Sequence, residues 1–218
     1  MRIDLHCHTF HSPDSLMTLD ALLQAMDRRG LDMVAVTDHN TIAGARALHA
    51  RAPARVLIGE EIKTTQGELI AFFLEEEVPP GLSPEETIAR VHAQGALVGA
   101  SHPFDRLRGD AMGMEHLEPI HRELDFLEVL NARMTFPRDN RLAREMAARW
   151  GLPGSAGSDA HAPSEVGGAY VDMMDFEGPQ DFLDNLAIGQ VGGRQSSPTV
   201  HLHSIYARWH KRWKARRQ

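Results

Sequence analysis

The stretch Asp4-Leu5-His6-Cys7-His8-Thr9 places two histidines one residue apart in a segment with the pattern of a β-strand. Side chains along a strand point alternately to its two faces, so His6 and His8 project to the same side. Neutral imidazole is the commonest metal-binding side chain, and two imidazoles on one face can hold a single ion. Cys7 then faces the other way, and we expect it to be a buried packing residue rather than a ligand or nucleophile.

The length and composition of the chain fit one domain. Its 218 residues, of which 42% are hydrophobic, are enough to bury one core, and α/β barrels often fill this length as a single domain. No run of about eighteen apolar residues occurs, so we expect no membrane span. The first residues carry no signal-peptide pattern, and the single cysteine excludes an internal disulfide. These features favour a cytoplasmic protein.

Charge is distributed unevenly along the chain. The formal net charge is −7, but residues 208–218 hold six Lys or Arg and no Asp or Glu, which leaves 17 basic and 30 acidic residues elsewhere, a balance of −13. A body this acidic is a poor general surface for nucleic acid, whereas clustered carboxylates suit metal cations. We therefore divide the chain into a domain at 1–200 and a basic, helical tail at 201–218.

Short apolar runs alternate with helical patterns along most of the chain. Strands are predicted at 3–5, 33–36, 55–58, 69–74, 96–100, 125–130, 152–156 and 169–171. Helices are predicted from Leu19 to Gly30, from Ser83 to Gly95, over 138–150 and over 180–187. Such alternation predicts a parallel sheet, either open or closed into a barrel.

Residues of the kinds that bind metals or anions follow six of these strands, where each strand ends. They occur in His6-Cys7-His8 with Asp14, Thr37-Asp38-His39-Asn40, Gly59-Glu60-Glu61, Ser101-His102-Pro103, Asn131-Ala132-Arg133 and Gly157-Ser158-Asp159-Ala160-His161. Barrels and open parallel sheets build their active sites at the C-terminal ends of strands. One such histidine would be ordinary, but their joint occurrence indicates a metal site.

Four segments resemble, in order, the motifs of the PHP (polymerase and histidinol phosphatase) family. They are Asp4-Leu5-His6-Cys7-His8-Thr9, Thr37-Asp38-His39-Asn40, Ser101-His102-Pro103-Phe104 and Gly157-Ser158-Asp159-Ala160-His161. The resemblance implies a distorted seven-stranded β/α barrel, similar to a TIM barrel, in a single domain. It also implies two or three divalent metal ions and the hydrolysis of phosphoesters.

The resemblance further implies eight metal ligands in three sets. One ion is held by His6, His8, Glu61 and Asp159; Glu61 also bridges to a second ion held by His102; a third ion is held by Asp14, His39 and His161. Imidazole and carboxylate ligands together admit Zn, Mn and Fe, so the identity of the metal stays open.

Three positions leave the ligand assignment open. Asp14 stands where some members of the family have histidine, and a carboxylate there favours a harder metal. The family often supplies a further histidine near the strand that here ends in Asn131, and asparagine is a weaker ligand. Glu60 and Glu61 compete for one role; the Gly-x-Glu arrangement of the family favours Glu61, and alternation along the strand then turns Glu60 to the opposite face.

The remaining candidates concern the phosphate and the leaving group. Arg133 is the first choice for binding substrate phosphate because guanidinium grips phosphate in a bidentate manner. Arg106 and Arg108 are second choices, and Asn131 completes the candidate substrate-binding set. His39, His161 and Arg133 are the candidate catalytic residues, although a histidine that binds metal cannot also be a free acid.

The tail has a helical pattern in which Ile205, Trp209 and Trp213 lie on one stripe with basic residues around it. We expect a terminal helix that packs these tryptophans onto the barrel while its charges face water. Attachment to a membrane surface, or contact with nucleic acid through residues 204–218, is the alternative.

The sequence therefore predicts a metal-dependent phosphoesterase that uses a metal-bridging hydroxide. Its expected substrate is a small phosphorylated metabolite or a nucleotide, including a bisphosphate or a short oligonucleotide end. Histidinol phosphate is less favoured, because no feature specifically recognises its imidazole. Two other classes stay open: a metal-dependent hydrolase of C–N bonds, and a non-catalytic interaction module that acts through the basic tail.

Overall fold

Nine strands form one sheet in the computed structural model of this protein, which describes residues 1–215. They are β1 (Arg2–Cys7), β2 (Met33–Val36), β3 (Val56–Thr64), β4 (Gly67–Phe72), β5 (Leu97–Ala100), β6 (Phe126–Asn131), β7 (Gly154–Gly157), β8 (Ala169–Asp172) and β9 (Gln190–Gly193). Their order across the sheet is β7-β6-β5-β4-β3-β2-β1-β8-β9. The sheet therefore has two strands more than the seven that the PHP resemblance implies, and one more than the eight predicted from the sequence pattern.

Six of the strands, β1, β2, β3, β5, β6 and β7, run in the same direction. β4 lies antiparallel between β3 and β5, and β8 and β9 add an antiparallel pair beside β1. The segment after β7 returns to β1, where the Asp159 N–H donates to the His6 carbonyl at 2.7 Å and the His8 N–H donates to the Ala160 carbonyl at 2.9 Å. The result is a nearly closed, barrel-like sheet in a single α/β domain.

Seven α-helices accompany the described strands. They are α1 (Leu19–Arg29), α2 (Ala43–His49), α3 (Pro84–His92), α4 (Gly113–Ile120), α5 (Pro137–Trp150), α6 (Pro179–Ile188) and α7 (His201–Ala215). Two predicted helix boundaries have the expected cause: the Ser83 hydroxyl accepts from the Glu86 N–H at the start of α3, and Gly30 adopts φ 64° after α1. The sequence analysis missed α2, α4 and β9, which are all eight residues or shorter.

Apolar side chains on the strands and helices make the core that holds these elements together. Phe72 and Phe126 stack with ring centroids 4.9 Å apart, and Phe182 of α6 packs edge-on against Phe72. Burial of each such ring contributes roughly 2–3 kcal/mol. Cys7 is fully buried in a cluster that includes Leu22 and Met26 of α1, as expected for a packing cysteine.

The tail forms α7, but its orientation corrects our expectation. Ile205, Trp209 and Trp213 are 57%, 61% and 43% exposed, whereas Ser204 and Ala207 are buried. The helix docks through small and polar side chains, which bring its backbone close to the body, so the tryptophan stripe faces solvent. The last residues of the predicted tail, 216–218, lie outside the described residues. Within the described part of the chain, no helix is long and apolar enough to cross a membrane.

Candidate metal centre

The C-terminal ends of the parallel strands meet at one edge of the sheet and bring all eight predicted ligands together. β1 supplies His6, the segment that follows it supplies His8 and Asp14, and β3 supplies Glu61. Loops after β2, β5 and β7 supply His39, His102, Asp159 and His161. All are buried except His39, which is partly buried. His6 and His8 therefore point to the same side, as strand alternation predicted.

One position is formed by His6, His8, Glu61 and Asp159. Glu61 Oε2 lies 3.3 Å from Nε2 of both His6 and His8, and the two Nε2 atoms are 3.1 Å apart. Asp159 Oδ1 lies 3.3 Å from His8 Nε2 and 3.9 Å from His6 Nε2. Ligand atoms arranged tetrahedrally at about 2.0–2.1 Å from one zinc ion are separated by about 3.3 Å, so these four groups fit a single ion.

The other two predicted sets lie on either side of this position. His102 Nε2 approaches Glu61 Oε1 at 2.8 Å, so the two oxygens of Glu61 face different histidines. Asp14 Oδ2 lies 3.2 Å from His161 Nε2 and 3.6 Å from His39 Nε2. Glu61 is thus placed to bridge two ions.

Several buried oxygens of the cluster have no hydrogen-bond donor among the described residues. They include Asp14 Oδ1, Glu61 Oε2 and Asp159 Oδ1. A buried polar atom without a partner costs about 1–3 kcal/mol, and more if it is charged. Cations would satisfy these oxygens, and imidazole nitrogens with carboxylate oxygens are donors suited to Zn, Mn or Fe. The residues present therefore fit divalent metal ions.

Neighbouring polar groups hold the imidazoles in orientation. Glu128 Oε1 lies 3.0 Å from His6 Nδ1, and Glu128 Oε2 accepts from the His102 N–H. The Ser12 hydroxyl lies 3.0 Å from His8 Nδ1. Such contacts fix which ring nitrogen is free to bind a metal. Sequence reasoning missed Glu128, although a carboxylate in an otherwise apolar strand was a signal for it.

Charge within the cluster shifts the pKa values of its histidines in opposite directions. Burial opposes protonation of His39, but Glu61, Asp14 and Glu68 outweigh it and raise the pKa of His39 to about 10. Burial, reinforced by His161 and His39, lowers the pKa of His8 to about 3. The carboxylates thus create a strong local preference for positive charge, while His8 stays neutral as a metal ligand must.

Two candidate ligands have a left-handed backbone: His102 has φ 30° and Asp159 has φ 53°. Such conformations cost on the order of 1–3 kcal/mol for residues other than glycine and concentrate at functional sites. Both residues closely follow the ends of parallel strands, where the backbone must turn to point the side chain into the cluster.

Two family models match this sequence: the PHP domain over residues 4–109, and the PHP-associated family over residues 137–191. An uncharacterised protein of Methanocaldococcus jannaschii is 31% identical over 224 residues, which cover 96% of this chain and 89% of that protein. A second one from the same organism is 40% identical over 148 residues, 61% of this chain and 82% of that protein. The chain belongs to the PHP family.

Solved structures share the PHP fold of this chain at low sequence identity. A two-domain protein of Bacteroides vulgatus, which contains a predicted PHP-like metal-dependent phosphoesterase, superposes with a TM-score of 0.71 at 18% identity, over 95% of this chain and 69% of that one. The lesion-specific endonuclease Q of Pyrococcus furiosus superposes with a TM-score of 0.65 at 15% identity, over 88% and 58% of the two chains. These likenesses agree with the barrel-like PHP architecture.

The structure shows the contacts of two positions that the PHP pattern left open. Asn131 departs from that pattern, and Glu60 competed with Glu61 for the role of ligand. The Asn131 amide donates to Glu128 and Asp159, while its Oδ1 accepts from the Arg133 N–H, so both ends of the side chain are engaged. Glu60 Oε2 accepts from the Val78 N–H at 2.9 Å, away from the histidines. Burial raises the pKa of Glu60 to about 8, with a further contribution from Glu77.

The three candidate arginines differ in their surroundings. Arg108 donates to Asp159 Oδ2 and lies against the ligand cluster. Arg106 is more exposed and lies beside Asp139. Arg133, the first choice from sequence, is buried and donates to Glu165 at 2.8 Å and to the Ser204 hydroxyl at 2.6 Å. Arg108 is therefore the guanidinium in direct contact with a predicted metal ligand.

A cavity of about 590 Å³ opens onto the cluster. His39 and His161 of the cluster line it, together with Lys63, Arg108 and Arg208. Its volume is within the range of about 300–1,000 Å³ for small-molecule sites. A depression of about 700 Å³ lies elsewhere, around Met1 and Asn185, and none of the eight predicted ligands lines it.

Proposed function

We propose that this PHP-family protein is a metal-dependent phosphoesterase that acts on a small phosphorylated metabolite or a nucleotide. The observation that carries this proposal is the convergence of eight imidazole and carboxylate side chains on shared positions, with buried oxygens that lack donors among the described residues. An accessible cavity adjoins them, and its lining includes Lys63, Arg108 and Arg208 beside carboxylates. A phosphate ester matches both features, because its oxygens are ligands for metal ions and acceptors for guanidinium.

Each of the three predicted ligand sets would hold one divalent ion. His6, His8, Glu61 and Asp159 would hold one divalent ion, His102 with Glu61 a second, and Asp14, His39 and His161 a third. Divalent ions in such sites lower the pKa of water toward neutrality and polarise phosphoryl oxygens. Burial of the ligand cluster keeps its charges unscreened, which strengthens the attraction of its carboxylates for cations.

His39 and His161 are better suited to holding ions than to free acid catalysis. His39 directs Nδ1 toward Glu61 at 3.2 Å and Nε2 toward Asp14 at 3.6 Å, so carboxylates face both nitrogens. His161 places Nδ1 2.8 Å from the Asp159 carbonyl, which leaves Nε2 directed at Asp14. The proton for the leaving oxygen then comes from water in the cavity.

Arg108 is the proposed phosphate-binding residue. Its guanidinium already lies at a carboxylate that would bind metal, and it lines the cavity. With a cation bound at Asp159, the guanidinium of Arg108 would be available for phosphate oxygens, for which its planar fork is well matched. Arg133 keeps a proposed supporting role at the cavity wall, and Arg106 a peripheral one.

A short oligonucleotide end is a second candidate substrate, favoured by α7. Arg208 and Ile205 of this helix line the cavity, and Trp209 stands exposed beside them along the helix. Aromatic side chains next to cationic ones bind single strands by stacking and charge. Endonuclease Q, one of the structural neighbours, has been solved with duplex DNA carrying an abasic lesion at its active site.

The test is a substrate screen on the metal-loaded protein. Protein reconstituted with Mn, Fe or Zn is assayed against nucleoside monophosphates, bisphosphates, sugar phosphates, short oligonucleotides and a panel of amides. We expect turnover of at least one phosphoester and at least a 100-fold loss in His8→Ala, with less bound metal, whereas exposed His92→Ala behaves as wild type. Hydrolysis of amides alone, or full turnover by His8→Ala, would refute the proposal.

A further inference from the structure

Glu68 is a buried carboxylate beside the ligand cluster that the sequence motifs do not include. It is the second residue of β4, the strand that runs antiparallel between β3 and β5. Because β4 runs against its neighbours, its first residues lie at the edge of the sheet where the parallel strands end. Its register pairs Glu68 with Lys63 and Ile70 with Glu61, so both carboxylates come from one hairpin.

The side chain of Glu68 is directed at the candidate ligands. Glu68 Oε2 lies 3.5 Å from His102 Nε2, and Oε1 lies 3.5 Å from His39 Nδ1. The residue is 3% exposed, and Oε2 has no hydrogen-bond donor among the described residues. A buried carboxylate oxygen in this state requires a cation or a proton.

The position beside His102 is otherwise short of ligands. Glu61 Oε1 is the other predicted group that faces His102 Nε2. Asn131 cannot complete the set in this conformation, because its amide and its oxygen are both engaged with protein groups. Ligand atoms of Glu68, His102 and Asp110 lie within 4.8 Å of one another, as do those of His39, Glu61 and Glu68.

We propose that Glu68 is a metal ligand, and that it completes with Glu61 and His102 a carboxylate-rich position for the second divalent ion. This inference rests on the metal site of the proposed function but not on its substrate. Two carboxylates and one imidazole make a harder donor set than the position at His6 and His8, so this position should discriminate less against Mn²⁺ and Fe²⁺ relative to Zn²⁺ than that one does.

The experiment measures the number and affinity of bound Mn²⁺ ions, independently of activity. Full-length protein is stripped with a chelator and titrated with Mn²⁺ by calorimetry, and its metal content is measured after desalting. We expect Glu68→Gln to bind one ion fewer than wild type, or to bind its weakest ion at least tenfold less tightly. The matched control is Glu60→Gln, which removes an equally buried carboxylate from the adjacent strand and should leave the Mn²⁺ content unchanged.

A crystal of Mn²⁺-loaded wild-type protein decides the matter even if Glu68→Gln fails to fold. An anomalous peak about 2.2 Å from a Glu68 oxygen supports the inference. It is overturned if Glu68 contacts no ion, or if a folded Glu68→Gln keeps the wild-type number and affinity of ions. Loss of Mn²⁺ in Glu68→Gln without any phosphoester turnover by wild type would uphold the ligand and reject the phosphoesterase.

Discussion

At the scale of single residues, adjacent carboxylates in β3 lie in opposite environments. Glu61 lies among the histidines of the cluster, and His6, His39 and His102 hold its pKa well below the usual range despite burial. Glu60 points the other way into an apolar region, where one backbone N–H is its donor and its pKa is raised to about 8. Strand alternation separates the two, and the Gly-x-Glu arrangement of the family is what favours Glu61 over Glu60 as the ligand.

The raised pKa of Glu60 predicts a pH-dependent stability. The unfolded-state pKa is about 4.3, so between that value and about 8 the folded protein binds the extra proton and stability falls as pH rises. Each pKa unit corresponds to about 1.4 kcal/mol. Glu60→Gln should therefore gain stability relative to wild type as pH increases from 5 to 9, measured by urea unfolding of chelator-treated protein. Exposed Glu75→Gln should not, and equal slopes for all three proteins would contradict the prediction.

At the scale of elements, the junction of β7 with β1 depends on a glycine. A Cβ on Gly157 would lie 2.2 Å from His6 Cβ and 2.6 Å from His6 N. Both contacts are with atoms close to the backbone, so no side-chain rotation can relieve them. The approach of these strands is what places His6 and Asp159 within reach of one ion.

Gly157→Ala should therefore damage both fold and metal binding. We expect a loss of about 1–3 kcal/mol in the free energy of unfolding, typical of overpacking, together with weaker binding of the ion at His6. Chemical unfolding and Mn²⁺ calorimetry measure the two effects. Gly109→Ala serves as the control, since a Cβ there meets no atom within 4 Å. If Gly157→Ala is destabilised but keeps the wild-type affinity for Mn²⁺, the close approach of β7 and β1 is not needed for metal binding, and the prediction is wrong.

Sequence predicted the parallel strands better than the elements between them. Each ligand-bearing strand combines an apolar run with a polar end, and this pattern can be recognised in the sequence without knowledge of the fold. α4 was missed because Pro119 lies inside it and Gly113 begins it, both residues that favour turns. Glu68 was missed for another reason: in a parallel strand it would lie at the far edge, and only the antiparallel direction of β4 brings it to the site.

At the scale of the whole molecule, Arg133 ties the tail to the barrel. Its guanidinium links Glu165 to Ser204 of α7, and His203 of α7 lies against the other oxygen of Glu165. The sequence analysis made Arg133 the first choice for binding phosphate; in the structure it lines the cavity, and its charge is engaged with Glu165. No pattern in the sequence linked these residues, because their contacts span 32 and 71 positions.

Arg133→Ala should act mainly on stability. Removing the guanidinium takes from the buried Glu165 its arginine partner, and breaking a buried ion pair in this way costs about 3–5 kcal/mol. Urea unfolding of Arg133→Ala measures the effect, and exposed Trp209→Ala should change stability by less than about 0.5 kcal/mol. If Arg133→Ala keeps its stability while KM for the phosphoester rises, Arg133 binds substrate as the sequence predicted.

Because the chain returns from β7 to β1, a metal ion bound between them would also stabilise the fold. His6 and Asp159 are 153 positions apart in sequence, yet they would share one ion at the place where the sheet meets itself. An ion bound there would link the first parallel strand to the last, as a disulfide would in an oxidising compartment. Because such an ion binds the folded state and not the open one, its occupancy adds directly to stability. The ion proposed for catalysis would then be the same ion that holds the barrel closed.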